Sequence, residues 1–486
     1  MRILYIDIDS LRPDHLGCYG YPRHTSPTID SIAARGVRLT NYYVSDAPSA
    51  PSRSALFSAR LGIHTGVINH GGLEADKRPI GAQRPFNNHH QSYQAWVDVL
   101  RFQGLHTAMI SPFPGRHAAW HVQEGFLETH DVGKHAGETA DDMAGEALRW
   151  LRERGSQKKD WFLHLNFWDP HTPYRTPTSF GNPFKHDPAP AWLTDDIIAR
   201  HRASFGPRSA REVLAGNQWP DLPQEITSRE DFKRWIDGYD VAIRYVDEHV
   251  AHILNALEEE GILDETIIII SADHGENQGE LNVYGDHQTA DHITSRVPCI
   301  IAGPGICQGC VDDGFHYQID LGPTMVELVE GKPREKWDGV SFLPALTHGH
   351  TAGRPYLVVS QAAWSCQRAV RFDNWILIRT YHEGLKDFPE LMLFDLEKDP
   401  HETTDFVEER PDVVGKGMQL LDAWVSDQLL TSDHPTDPMW HVIHEGGPFH
   451  TRGQLDTYLG HLRETDRNDA ADRLEQRHRK LRRFEP

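Results

Sequence analysis

The chain has 486 residues, 38% of them hydrophobic and 25% charged, and 71 acidic against 49 basic side chains give a formal net charge of −22. That length suits one large α/β domain with a smaller one beside it, and the composition is that of an ordinary globular protein. The acidic balance argues against nucleic acid or an anionic membrane surface as a partner, and against long polyanionic substrates unless a local group of cations reverses the field.

Ile3 to Ile8 is a short apolar run that predicts a buried strand, ending in Asp7-Ile8-Asp9-Ser10. It is too short and too acidic for a signal-peptide core, and no stretch approaches a membrane span, so a cytoplasmic location is expected. Next comes Ser49-Ala50-Pro51-Ser52-Arg53. Proline is pre-set for a first helical turn, which puts Ser49 at or beside an N-cap. The free N–H groups and dipole of that helix then face its hydroxyl, and Arg53 follows one turn later to clamp an anion or the nucleophile itself. Such an arrangement suits attack on a sulfate or phosphate ester.

Further along, residues 93–103 predict a helix and Gly104 to Ile110 a strand running into Ser111-Pro112-Phe113-Pro114-Gly115-Arg116-His117. A helix is predicted from Thr139, as N-cap, to Arg154, with Gly155 as its stop. Trp161 to Trp168 reads as a strand ended by Asp169-Pro170-His171-Thr172-Pro173. Residues 176–230, rich in Pro, Asp and Arg, read as an insertion or lid, and with the C-terminal segment around His441 to Arg452 are expected to shape a pocket mouth. Tyr239 to Glu260 carries the clearest amphipathic helical spacing. Thr266 to Ile270 is a β-branched run, hence a central strand delivering Ser271-Ala272-Asp273-His274-Gly275-Glu276. Val297 to Ala302 is another strand.

Strands alternating with helices predict an α/β fold: a large, mostly parallel central sheet with helices on both faces over residues 1–350. A smaller C-terminal α+β subdomain over 351–486 is expected, with strands at Val358, Trp375 to Ile378 and Leu391 to Phe394 and a charged helical tail. The five cysteines are an odd count and are expected as reduced thiols; Cys307-Gln308-Gly309-Cys310 has metal or redox spacing but no second pair.

Asp9, Arg116, His117, His171, Asp273 and His274 each follow the end of a predicted strand, where open α/β sheets bind ligands. Asp9 and Asp273 near one anion pocket would repel each other unless a cation lay between them, and His274 offers a third ligand. Asp7, on the same strand face as Asp9, reads either as an extra ligand or, in preference, as a buried, hydrogen-bonded acid.

These pieces resemble one family. Ser49-Ala50-Pro51-Ser52-Arg53 is similar to the sulfatase signature of Cys or Ser, any residue, Pro, any residue, Arg. In order, Ile8 to His15 resembles the family's first metal strand, Asp169 to Pro173 its central histidine loop, and Ser271 to Glu276 its second metal motif. Arg296-Val297-Pro298, Asp320 to Thr324 and Leu393 to Pro400 match later landmarks. The resemblance spans about residues 1–430 and places the chain in the alkaline-phosphatase-like superfamily, in its sulfatase branch.

The resemblance implies that a maturation enzyme converts Ser49 to formylglycine, whose hydrate is the nucleophile and ligates the metal. Asp9, Asp273 and His274 would hold one divalent ion, calcium first, with magnesium or manganese as alternatives. Arg53 would stabilise the hydrate, and His171 would contact sulfate and protonate the leaving alcohol. Three departures stand out. Ser10 replaces a second aspartate. The usual Gly-Lys-Trp-His segment is absent after Thr107-Ala108, leaving Arg116 and His117 to supply its cation and base. A downstream lysine is replaced by His287 in Tyr284-Gly285-Asp286-His287. The expected substrate is a small sulfated alcohol, a sulfated carbohydrate in particular. Its rivals are a metal-dependent phosphodiesterase or phosphonate monoester hydrolase using unmodified Ser49, and an inactive binding protein. An oligomer is compatible with the sequence.

Overall fold

The computed structural model describes residues 1–77, 91–135, 137–155, 157, 160–213, 222–434 and 436–481. Thirteen strands build its two main sheets. In chain order they are β1 (Arg2–Ile8), β2 (Gly36–Tyr43), β3 (Asp46–Ala47), β4 (His106–Ile110), β5 (Glu128–His130), β6 (Trp161–Phe167), β7 (Thr266–Ser271), β8 (Cys299–Ala302), β9 (Cys310–Tyr317), β10 (Tyr356–Gln361), β11 (Cys366–Phe372), β12 (Trp375–His382) and β13 (Leu391–Asp395). The large sheet runs β9-β2-β8-β7-β1-β6-β4-β5. All its neighbours are parallel except β8, which is antiparallel to both β2 and β7.

The centre of this sheet follows from its sequence. β1 is buried from Ile3 onward, and β7, Thr-Ile-Ile-Ile-Ile-Ser, is buried along its whole length. Strands covered by helices on both faces lose the alternation of a half-exposed strand and read as continuous apolar runs. The fold is thus α/β with a large, mostly parallel sheet and a smaller second sheet, β13-β12-β11-β10-β3. The second sheet is antiparallel apart from β3, which pairs parallel with β10.

Six helices matter below: α1 (Ser49–Ser58), α2 (Ala140–Trp150), α3 (Arg229–Glu259), α4 (Pro411–Thr431), α5 (Leu455–Glu464) and α6 (Asn468–Leu481). The Thr139 side chain and Asp142 close a capping box at the start of α2. A π turn carries that helix on to Gly155. α3 starts ten residues before the predicted Tyr239, because Ser228 caps it by accepting from the Asp231 N–H. The proposed insertion over 176–230 holds a helix at Asp195–Ala203; its residues 214–221 lie outside the described ones, as do the tail residues 482–486.

One expectation is corrected. Cys307 and Cys310 are joined as a disulfide rather than reduced, because the turn through Gly309 brings their Cα atoms to 6.0 Å, within bridging range. Cys18, Cys299 and Cys366 are free thiols. No helix among the described residues is long and apolar enough to cross a membrane.

Candidate active site

The carboxyl ends of β1, β4, β6 and β7 lie side by side in the large sheet. Asp9 follows β1 directly, and its N–H extends the ladder to the Phe167 carbonyl at 3.0 Å. Asp273 and His274 follow β7. Both chain ends are held in place. Ser10 adopts a left-handed backbone at φ 60°, which turns its N–H onto Asp273 Oδ1 at 3.2 Å, and its hydroxyl donates to Asp9 Oδ1 at 3.1 Å. The Tyr239 hydroxyl, from α3, donates to the Ser10 carbonyl at 2.7 Å.

Ser49 is the first residue of α1, with Pro48 in the N-cap position, so the hydroxyl stands beside the open N-terminus as the sequence suggested. Every residue of α1 is buried, and Ser49 itself is 2% exposed. Its Oγ lies 2.9 Å from His274 Nε2. The other ring nitrogen, Nδ1, faces the Gly275 carbonyl at 2.9 Å and must carry the proton there. In the neutral ring, Nε2 then presents a lone pair to Ser49.

Arg53, one turn along α1, does not reach back to the serine. Its guanidinium is committed to three acids instead: Asp7 Oδ2 at 3.1 Å from Nε, Asp9 Oδ2 at 3.2 Å and Asp273 Oδ2 at 2.5 Å from Nη1. Asp7 also meets His164 Nε2 at 3.3 Å, as a buried, hydrogen-bonded acid. Burial outweighs the pull of Arg53 on Asp273 and, with the charge of Asp9 added, raises its carboxyl to about 6. Three fully buried carboxylates against one guanidinium leave the cluster short of positive charge.

The residues present fit a divalent cation. One ligand atom each from Asp9, Asp273 and His274 lie within 4.8 Å of one another. His274 Nε2 is 3.3 Å from Asp273 Oδ2, a contact between two lone-pair groups once Nδ1 holds the proton. A cation between them relieves that repulsion and supplies the missing charge, and two carboxylates with one imidazole suit a hard or borderline ion.

Around this cluster the structure gathers the other sequence-picked residues. His287 lies 4.2 Å from the His274 ring and 5.4 Å from that of His171. His171 stacks on Trp168 at 5.1 Å and hydrogen-bonds through Nδ1 to the Thr172 carbonyl, leaving Nε2 free to act. Arg116 lies over the Trp168 ring at 4.0 Å, and His117 stacks on Phe113 at 4.7 Å. Burial, then Arg116 and Arg53, push the His117 ring down to about 3, so it is a neutral acceptor.

Two neighbours were not anticipated, and a third, His450, falls in the segment around His441 to Arg452 expected at the pocket mouth. His70 sits 5.2 Å from the His117 ring, with Nε2 3.5 Å from the Ala50 N–H of α1. His450 meets His70 Nδ1 through its own Nε2 at 2.9 Å. Arg175 lies against Trp168 at 6.0 Å, is 8% exposed, and has a buried Nη1 without a hydrogen-bond partner. Such a guanidinium, near enough to Asp9 to feel its charge, is built to receive an anion. The motif pass stopped at Pro173, two residues short of Arg175. His70 and His450 lie in loops without a recognisable pattern.

The family model described as Sulfatase matches residues 2–331. Among characterised proteins, the choline-sulfatase of Rhizobium meliloti (strain 1021) is 27% identical over 79% of this chain and 78% of its own length. The N-acetylglucosamine-6-O-sulfatase of Bacteroides thetaiotaomicron is 22% identical over 92% of this chain and 89% of its own. A solved structure in complex with its substrate D-glucosamine-2-N,6-O-disulfate superposes with a TM-score of 0.69 at 20% identity, covering 90% of this chain and 99% of the other.

Proposed function

This chain belongs to the sulfatase family, hydrolases of sulfuric esters, and from that premise we propose that it removes sulfate from a small sulfated carbohydrate through the side chain at position 49. The convergence of Ser49, Arg53, Asp9, Asp273 and His274 in one buried cluster at the strand ends carries this reading. A carbohydrate is favoured by the relative that acts on N-acetylglucosamine 6-sulfate groups, which this chain matches over most of its length.

Asp9, Asp273 and His274, with the side chain of residue 49, would hold a divalent ion, calcium by family resemblance. When bound, it neutralises the carboxylates, acidifies the nucleophile and draws charge from the ester's nonbridging oxygens. Formylglycine made from Ser49 by a maturation enzyme would supply, as its hydrate, a second hydroxyl on the carbon that bears the attacking oxygen. Arg53 fixes Asp9 and Asp273 in place through its hydrogen bonds, so the pocket needs no rearrangement as charge develops. Arg116, Arg175 and His287 supply the cations and donors that bind sulfate. His171, with Nδ1 engaged on Thr172, takes up a proton at Nε2 beside the bound anion and hands it to the departing alcohol oxygen. His117, kept neutral by burial, accepts the proton that must leave residue 49 for sulfate to depart.

Peptide mass spectrometry across Ser49, with turnover of 4-nitrophenyl sulfate and of a phenylphosphonate monoester, tests this reading. Loss of two hydrogens at Ser49 and sulfate turnover that a chelator abolishes are expected. An unmodified Ser49 with turnover of the phosphonate alone would transfer the enzyme to the phosphonate hydrolases. Turnover of neither, with metal bound, would make it a binding protein.

A further inference from the structure

A 420 Å³ cavity opens beside the reaction centre, lined by Trp364, His450, Gln454, Thr457, Tyr458 and His461 among others. Trp364 and His450 of its lining belong to a series of side chains from five separate parts of the chain. Asp286, the neighbour of His287, holds the guanidinium of Arg208 at 2.5 Å. That guanidinium lies over the Trp364 ring at 5.4 Å, and Trp364 stacks on His450 at 4.4 Å with 19° between the planes. His450 closes the series on His70, which faces the first turn of α1. The cavity and the reaction centre therefore share His450 as a partition. Two ring-to-ring steps, 4.4 Å from Trp364 to His450 and 5.1 Å from His450 to His70, separate the cavity from the residues around Ser49.

The chemistry of the lining is narrow. Gln454 and Thr457 project from the exposed face at the start of α5. The Tyr458 hydroxyl accepts from the Gly206 N–H at 2.6 Å, which leaves its own proton to donate elsewhere. The indole N–H of Trp364 has no hydrogen-bond partner among the described residues. Burial pushes the His450 ring down to about 4, so it is uncharged at neutral pH. No carboxylate, lysine or arginine lines the space. Glu212, the acid beside His461 at 3.3 Å, is already held by Arg467. A quaternary ammonium group would want acidic or open aromatic faces, and here one ring of the wall is already stacked on His450 and met by Arg208. A second sulfate would want a free cation. Aromatic walls with neutral donors and acceptors instead suit an uncharged, hydroxyl-bearing ring.

We propose that this cavity is a second sugar subsite: it binds the unsulfated ring next to the sulfated one, so the preferred substrate is a disaccharide or longer, read by Trp364, Gln454, Thr457 and Tyr458. The assignment rests on the sulfate-ester reading above and adds to it the length of the substrate.

The test measures kcat/KM of the full-length, metal-loaded enzyme for pairs of sulfated mono- and disaccharides sharing the same sulfated ring (glucose, galactose or N-acetylglucosamine), with choline sulfate and 4-nitrophenyl sulfate alongside. We expect the disaccharide to be favoured at least tenfold for whichever ring is cleaved. Gln454→Ala, on the exposed face of α5, should bring that ratio down at least threefold. Thr457→Trp, which fills the space without removing a core residue, should bring it near one. Thermal melts confirm that both variants fold. A ratio near one in the wild type, a ratio untouched by both variants, or preference for choline sulfate over every sugar overturns the subsite while leaving the sulfatase reading intact. If 4-nitrophenyl sulfate and every sulfated sugar are inert, the sulfatase reading falls, and the subsite with it.

Discussion

Arg53 shows how much one side chain must do in this centre. It satisfies oxygens of Asp7, Asp9 and Asp273 at once, in the planar, forked manner that only a guanidinium allows. Arg53→Lys keeps the charge but not the fork, and is expected to lower kcat by about 10²–10³, the usual loss for a pre-organised electrostatic contact. Arg175 is a different case, because its buried Nη1 waits for a partner. Hydrogen bonds to charged groups are worth about 1.5–3 kcal/mol. Arg175→Ala should therefore lower kcat/KM about ten- to hundredfold, with the melting temperature little changed. Asp273→Asn should empty the proposed metal position, read directly by elemental analysis of the dialysed protein. Asp9, Ser49, Asp273 and His274 were legible in the sequence because each follows a strand or opens a helix. Arg53 was found, but its hydrogen bonds to Asp7, Asp9 and Asp273 were not, because spacing within one helix says nothing about acids brought in from two strands. His70 was invisible, and so was its pairing with His450, since a contact across 380 positions leaves no local pattern.

At the level of elements, apolar periodicity located β1, β4, β6, β7 and α3 but misplaced some ends. α3 was missed over its first ten residues because Trp235 and Ile236 there pack under a polar-looking segment, and Ser228 was not read as a cap. β8 was found, but its direction was not: an antiparallel strand inside a parallel sheet has the same buried sequence as its neighbours. β2 and β9 escaped because polar residues such as Asn41 and Asp313 interrupt them. The capping box at Thr139 gives a direct stability test. Thr139→Ala is expected to cost about 1 kcal/mol, measured by denaturant unfolding, with activity retained. Ile269→Ala, in the fully buried β7 that carries Asp273, should cost about 2–5 kcal/mol.

Across the whole molecule, two buried groups make stability rise with pH, in two separate ranges. Glu280 is opposed by burial, but Arg12 and His401 hold its carboxyl down to about 2. Its folded pKa is below the unfolded value of about 4.3. It therefore contributes stability that is present above pH 4.3 and lost as pH falls toward 2, and Glu280→Gln should flatten the acid limb of the unfolding curve. Burial pushes the Lys386 ammonium down to about 7. The unfolded chain holds that proton up to about pH 10.4, so stability should rise between pH 7 and 10.4, and Lys386→Met should remove that rise. The division into a large sheet and a smaller one was readable from the change of texture near residue 350. The contribution of Asp46–Ala47 to the second sheet was not, because two residues carry no periodicity.

That short strand lies immediately ahead of α1, and α1 itself divides its contacts. Ala50, Leu56 and Phe57 pack into the core of the large sheet, while Ala55 faces that of the small one. The helix that Ser49 opens is thus clamped between two hydrophobic bodies. Softening either body frees the first turn of α1, so in rising denaturant catalysis should vanish with the earlier of the two loosening events, seen by tryptophan fluorescence, and never outlast it.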